Sequence, residues 1–516
     1  MQACADPRWV RPPRAGHLPA GGRPARVPSP PVPDRRQIRG WLATFERLVA
    51  ESGDALARAM EAELGRSAWD AWTADVLPLL ASIRWHRRHA DRLLAPRRVR
   101  GRAWWQLGQR HRRLRVPLGR VGIIATWNYP VQLLGIQMVQ AVAAGNRVVV
   151  KPSELAPRTQ QLLLELAADA ARTAGLGEEW VRWTAATRAD GERFLDEHAM
   201  DHLIFTGSTD VGRRVAAAAA ARLLPTTLEL SGRDGAIVLG DADATLAAAS
   251  IWHAVTLNAG QTCMAPRRVL VVREAYPAFL AALGPLAAAA QPVTMVSAEA
   301  AQAAFALAAA AAADGARSVS GVLEAPEGRR VRPLAMVDCP RECSLVEGAH
   351  FGPVVAVLPV DDLEEALRLH AGCEQHLATA LFTGRPQEWR AAPERLAQLR
   401  SSVVTINDAV LPTGHPAISI EGAAASGWGA SRGEAGLLRL TRQVEVSVTA
   451  PRIRVPLGYP GEQVFSWMRR IAAWMAGART GGPLAERMPA RATAQTKAQT
   501  NAQTKAHAKA QATEAT

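Results

Sequence analysis

The sequence predicts an α/β protein of two domains built on largely parallel sheets, and three observations carry that prediction. Short β-branched or apolar runs at 148–150, 203–205 and 227–230 alternate with helical stretches of ten or more residues, the rhythm of strands joined by crossover helices. Polar residues gather at the carboxyl ends of these runs, the edge at which open α/β sheets bind ligands. Length is the third: 516 residues with 48% apolar content exceed one domain at ~100–200 residues each and exclude a wholly disordered chain.

The net charge of +14 invites a nucleic-acid or anionic-membrane partner until it is located. Residues 1–36 carry +5, 97–115 carry +8 and 479–516 carry +4, so the rest of the chain is slightly acidic at −3. Residues 97–115, with eight Arg, His111, Trp104 and Trp105, could track phosphates, but no recognised nucleic-acid module accompanies them. Only four of the 61 basic residues are Lys, and Lys151 is the sole lysine of the first 496 residues. A compact ammonium is kept there among guanidinium groups that do not replace it. Five cysteines, Cys4, Cys263, Cys339, Cys343 and Cys373, argue against a disulfide framework and for a reducing compartment. With no run of ~18 apolar residues and no signal-peptide core at the start, a cytoplasmic protein is expected.

Along the chain, 1–36 hold nine Pro and read as a disordered Arg/Pro-rich arm. Trp41, Phe45, Leu48, Val49, Leu56, Met60 and Leu64 recur at helical steps, predicting two or three helices between 38 and about 94. A β-like run at 121–126 follows, then a strand at 148–150, a helix over 157–174, a strand at 203–205, a helix over 211–221 and a strand at 227–230. A second series contains strands at 268–272, 354–358 and 403–406 and an Ala-rich helix around 300–313. Residues 444–448 alternate as an exposed or intermolecular strand would. Val464, Trp467, Met468, Ile471, Trp474 and Met475 form one face of a helix opposite Arg469 and Arg470. That face would suit a bilayer interface, or packing on its own subunit or a dimer partner. Residues 479–516 end in a low-complexity Ala/Gln/Thr/Lys tail.

Three segments can carry chemistry. Residues 122–130 (GIIATWNYP) and 144–154 (AGNRVVVKPSE) make a strand–helix–strand unit in which Lys151 and Glu154 could hold a diol such as a ribose. In 205–212 (FTGSTDVG), Gly207 and Gly212 allow close backbone approach, and the following helix offers N–H donors to a pyrophosphate; a plain strand-to-helix turn fits as well. Glu229 in 229–232 (ELSG) precedes Cys263, the end of 258–263 (NAGQTC), by 34 residues. Such a cysteine can act as a thiolate nucleophile and such a glutamate as its base or as an activator of water, although a lone Cys is more often a small buried hydrophobe.

In order, content and spacing, these segments resemble the NAD(P)-dependent aldehyde dehydrogenase superfamily from about residue 38 to 450, and among its branches the class 3 and coniferyl aldehyde dehydrogenase-like bacterial enzymes. The resemblance implies two Rossmann-type parallel-sheet domains plus a small oligomerisation element. It places the dinucleotide-binding domain at 37–229, the catalytic domain at 230–410, and a return to the cofactor domain with an oligomerisation strand at 411–450; the amphipathic segment at 451–478 and the tail follow. It implies Cys263 as nucleophile, Glu229 as general base, and Asn128 as the amide of the oxyanion hole. Lys151 and Glu154 match the adenosine ribose pair, Gly207, Ser208 and Gly212 the pyrophosphate turn, and Phe351 the aromatic beside the nicotinamide. Thr126, Trp127, Ser153 and Leu230 complete the implied cofactor site. Three of the five asparagines, Asn128, Asn146 and Asn258, fall in these motifs.

The implied activity is oxidation of a small-molecule aldehyde to an acid through a cysteine thiohemiacetal and thioester, by a homodimer or higher homo-oligomer. NAD is expected over NADP because Glu154 would repel a 2′-phosphate, with dual use left open by Lys151. Two positions depart from the family: Ala349 stands where a glutamate holds the nicotinamide ribose, with Glu347 two residues further back, and Glu421 stands where a buried Phe is usual. These leave open an impaired homologue that acts as a ligand-binding or interaction protein. No metal is expected, since Cys339, Cys343 and His350 are too few and too loosely spaced for zinc. Glu364 and Glu365 read as a solvated helix face.

Overall fold

The computed structural model describes residues 33–101, 106, 108–450 and 461–477. The chain divides into two units, one of residues 1–97 and 113–445, the other of residues 98–112 and 446–516. The first unit opens with the helix Arg35–Glu51, which begins inside the expected N-terminal arm because Asp34 and Gln37 form a capping box there. The helices that follow it before the first sheet are Gly53–Leu64, Ala68–Ala71 and Leu77–Leu94, with a five-residue π turn at Trp72–Val76. Trp41, Phe45, Leu56 and Met60 are buried, so the three- and four-residue spacing marks the core face.

A six-stranded sheet runs in the order Gly427–Trp428, Thr226–Leu230, His202–Gly207, Arg120–Ile124, Arg147–Lys151, Val181–Trp183. All its neighbours are parallel except Gly427–Trp428, which returns antiparallel to Thr226–Leu230. The helix Gln132–Ala143 is buried at every position. That explains why it lacks a clear polar face in the sequence.

The second sheet has seven strands, in the order Arg317–Ser318, Leu334–Val337, Val354–Val360, Arg268–Val272, Gly235–Val238, Ala378–Phe382, Val403–Ile406. Only Arg317–Ser318 is antiparallel. Leu270 enters one hydrophobic cluster while Val269 and Val271 enter another. Both faces are therefore covered, which is why the strand is apolar throughout instead of alternating. The helix Thr209–Ala220 starts two residues earlier than its apolar pattern, because Ser208 caps it. Glu365 is not part of a solvated face: it is buried, accepts the Asp361 N–H at 2.6 Å and pairs with Arg341 at 2.5 Å.

The strands Arg97–Arg98, Gln109–Pro117 and Thr441–Thr449 form a further sheet in that order, and Thr441–Thr449 is exposed over most of its length. In the second unit His111 and Ser447 are joined by a side-chain hydrogen bond of 2.8 Å, and the helix Glu462–Met475 has no buried residue. Trp104, Trp105 and the 479–516 tail lie outside the described residues. Among the described residues no helix is long and apolar enough to cross a membrane.

Burial depresses three histidines, His86, His202 and His370, each to about 4. Their unfolded counterparts take up protons near 6.5, so the unfolded state binds more protons between about 4 and 6.5 and stability rises with pH there. The urea midpoint is expected to be lower at pH 4.5 than at pH 7.5, with the gap narrowed in His202→Gln. An equal gap in that variant would exclude His202 as a contributor.

Candidate active site

The loop that carries Cys263 is shaped before its cysteine arrives. Asn258, Ala259 and Gly260 all have left-handed backbones, with φ of 51°, 54° and 71°. An alanine there is strained and persists only because its surroundings fix it. Arg267 does much of this, donating from Nη2 to the Gly260 and Thr262 carbonyls at 2.8 and 2.9 Å and from Nη1 to the Gly352 carbonyl at 2.9 Å. Gln261 adds a bond from Nε2 to the Asn258 carbonyl at 3.0 Å and accepts the Val296 N–H at 2.9 Å. Gly260 is needed for a second reason, since a Cβ there would lie 2.4 Å from the Gly352 backbone. The cysteine loop and the Phe351-Gly-Pro turn thus touch backbone to backbone.

Asn128 reaches the same loop from the first sheet. Its Nδ2 donates to the Gln261 carbonyl at 3.1 Å, and its Oδ1 accepts from Thr126 Oγ1 at 3.0 Å. Asn258 returns a bond to the Asn128 carbonyl at 2.7 Å, and the Tyr129 hydroxyl meets Thr262 Oγ1 at 2.5 Å. The amide that could hold an oxyanion is therefore locked to the residues flanking Cys263. Trp127 and Phe351 meet edge to face, with ring centroids 5.9 Å apart.

Cys263 is half-buried and free. Burial first, and then the charge of Glu229, push its thiol up to about 12, while Arg432 pulls it down. Glu229 is buried, with Oε2 accepting from Ser431 Oγ at 2.8 Å and no hydrogen-bond partner for Oε1. Arg432, itself buried with φ of 63°, donates from Nη2 to Gln132 Oε1 at 3.0 Å. A thiol, a carboxylate with one unoccupied oxygen and an oriented amide are assembled from segments far apart in sequence. Sequence reasoning missed Ser431, Arg432 and Gln261, whose roles appear only when the chain folds back.

The expected cofactor residues lie near the carboxyl ends of the strands of the six-stranded sheet, except Phe351, which precedes the strand Val354–Val360 of the other sheet. Lys151 is buried at the end of its strand and bonds Glu154 at 2.6 Å. Burial opposes ionisation of Glu154, but the Lys151 bond wins and holds its carboxyl low. Ser153 is buried, with its N–H on Gln160 Oε1 at 2.7 Å. Ser208 caps the next helix, and Gly212 lets that helix approach, since a Cβ would meet Leu230 at 2.3 Å. Leu230 itself sits in an apolar cluster with Phe205 and Leu228. A helix N-terminus, a buried ammonium and a half-exposed carboxylate on one edge fit a dinucleotide. Ala349, Glu347 and Glu421 are all exposed, so the acidic Glu421 is solvated. Among the described residues no cluster of side chains could hold a metal ion.

Two open, mostly parallel sheets with a cysteine, a glutamate and an asparagine gathered at one site form an α/β architecture in which a thiol can meet a carbonyl group. The chain belongs to the aldehyde dehydrogenase family, whose sequence profile matches residues 28–446, and it is an aldehyde-oxidising enzyme. It is similar to the 4,4'-diapolycopene aldehyde oxidase of Methylomonas sp., at 28% identity over 86% of this chain and 84% of that protein. It is also similar to the coniferyl aldehyde dehydrogenase of a Pseudomonas species, at 29% over 80% of this chain and 86% of the other. Among solved structures, the NAD+ complex of aldehyde dehydrogenase from Bacillus cereus matches with a TM-score of 0.73 and 25% identity, covering 80% of this chain and 84% of that one.

Proposed function

We propose that the protein oxidises an aldehyde to a carboxylic acid through a thioester on Cys263, and the convergence of Asn128 and Glu229 on the Cys263 loop carries this reading. The Cys263 thiol loses its proton to solvent and adds as the thiolate to the carbonyl carbon. The Asn128 amide keeps one hydrogen on the Gln261 carbonyl and offers the other to the new oxyanion, an interaction worth ~3–4 kcal/mol in such sites. NAD(P)+, held along the sheet edge by Lys151 and Glu154, would supply the hydride acceptor needed to bring the thiohemiacetal carbon to the acyl level of a Cys263 thioester. The Oε1 atom of Glu229, without a partner in the resting site, takes a proton from water, which attacks the thioester and frees the acid. Lys151 and Glu154 hold the adenosine ribose and the turn at Gly207 and Ser208 carries the pyrophosphate; Glu154 favours NAD over NADP.

Mixing the protein with NAD+ and a panel of aliphatic and aromatic aldehydes is expected to give NADH absorbance at 340 nm. Tight NAD+ binding with no NADH from any aldehyde would instead support a ligand-binding homologue, as Ala349 would allow.

The helix Glu462–Met475 supports a second reading, of attachment to an anionic bilayer surface. Trp467 and Trp474 are 55% and 80% exposed, Arg470 flanks Trp467, and Arg469 lies on the other side of the helix, paired with Glu462 at 3.1 Å. Deleting 455–516 is expected to remove cosedimentation with phosphatidylserine vesicles. Unchanged cosedimentation would exclude the helix as the anchor, and the exposed strand Thr441–Thr449 is the site we propose for self-association.

A further inference from the structure

The N-terminal helical segment contributes one buried ion pair, and it lies beneath the proposed oxyanion site. Arg66 and Asp75 are bonded to each other, with Asp75 fully buried and Arg66 nearly so. Asp75 sits in the π turn Trp72–Val76, a local widening of the helix of a kind often found at functional sites. Its Oδ1 accepts the backbone N–H groups of Val131 and Gln132, at 3.0 and 2.8 Å. Those are the residues that open the helix Gln132–Ala143, so a side chain from another element caps it. Arg66 donates to the Asn128 carbonyl at 3.4 Å and to the Asp70 carbonyl at 3.1 Å. Its guanidinium carbon stands 5.0 Å from the centre of the Tyr129 ring, whose hydroxyl is bonded to Thr262 beside the cysteine.

A buried ion pair is weak evidence for stability alone, because desolvation consumes most of its attraction. Here every bond beyond the pair and the Asp70 carbonyl goes to the segment 128–132. We infer that Arg66 and Asp75 are positioning residues that set the Asn128–Tyr129 loop so that the Asn128 amide meets the oxyanion formed at Cys263. This rests on the catalytic reading above, and the test separates the two.

The reporter is p-nitrophenyl acetate, which needs neither cofactor nor the natural aldehyde. The Cys263 thiolate forms the S–C bond, an oxyanion develops, and p-nitrophenolate leaves with the electron pair of the broken C–O bond. In the full-length protein Asp75→Asn is expected to slow this acylation tenfold to a hundredfold, about the loss caused by an ångström of misplacement. Placed in an Asn128→Ala background, the same change is expected to cost less than about twofold, since the amide it positions is gone. Alkylation of Cys263 by iodoacetamide develops no oxyanion and is expected to stay within about twofold of wild type. Should Asp75→Asn fail to fold, Arg66→Lys takes its place in the same cycle. Equal losses with and without Asn128, or an equal loss in alkylation, would overturn the positioning role. Full acylation in Asn128→Ala alone would instead overturn the oxyanion reading on which it rests.

Discussion

Cys263→Ala is expected to abolish aldehyde-dependent NADH formation, a loss of about 10⁴-fold or more, because no other side chain at the site can form the acyl intermediate. Cys339, Cys343 and Cys373 are all buried and do not replace it. NAD+ binding should survive, since Lys151, Glu154 and the capped turn at Ser208 lie on the edge of the other sheet. Stopped-flow absorbance with titration of NAD+ in the same preparation tests both halves. Residual turnover above one per cent in the variant would remove Cys263 from the centre of the mechanism.

Glu229→Gln should separate the two halves of the reaction. NADH is expected to form once per active site and then continue ~10²–10³-fold more slowly, because the thioester waits for a base. Hydroxylamine, which cleaves a thioester without help, should restore turnover. The same variant makes an opposite prediction for the free thiol. Burial and then Glu229 hold the Cys263 pKa above its ordinary value, up to about 12. Removing a negative charge lowers that pKa, so at pH 8 the thiolate fraction rises and iodoacetamide should react faster. A slower alkylation would mean that Glu229 deprotonates Cys263 and does not merely oppose it.

Much of the α/β rhythm was legible because a buried parallel strand leaves a β-branched run and a covering helix leaves a stripe. Cys263, Glu229 and Asn128, to which the proposed mechanism gives the roles of nucleophile, base and amide, stand out in the sequence as residue types near the ends of such runs. What was not legible is cooperation across distance. Ser431 lies 202 positions from the Glu229 it bonds, and nothing local marks it. Asp75 is one acid on an amphipathic helix until the fold brings two N–H groups from Val131 and Gln132 against it. Glu365 misled for the same reason, because its Arg341 partner lies on a separate segment. Glu421, an oddity in the sequence, is solvated in a two-residue strand whose neighbour Ile420 takes the buried place.

The distribution of lysine bears on how such an enzyme coexists with what it consumes. Aldehydes condense with primary amines to give imines, a reaction open to neutral lysine and closed to the permanently charged guanidinium. Among the described residues the one amine side chain is Lys151, 5% exposed and bonded to Glu154. A surface of arginine gives the described part of the enzyme solubility and charge without offering its substrate a second, unproductive nucleophile. The three remaining lysines, Lys497, Lys505 and Lys509, all fall beyond residue 496 in the sequence.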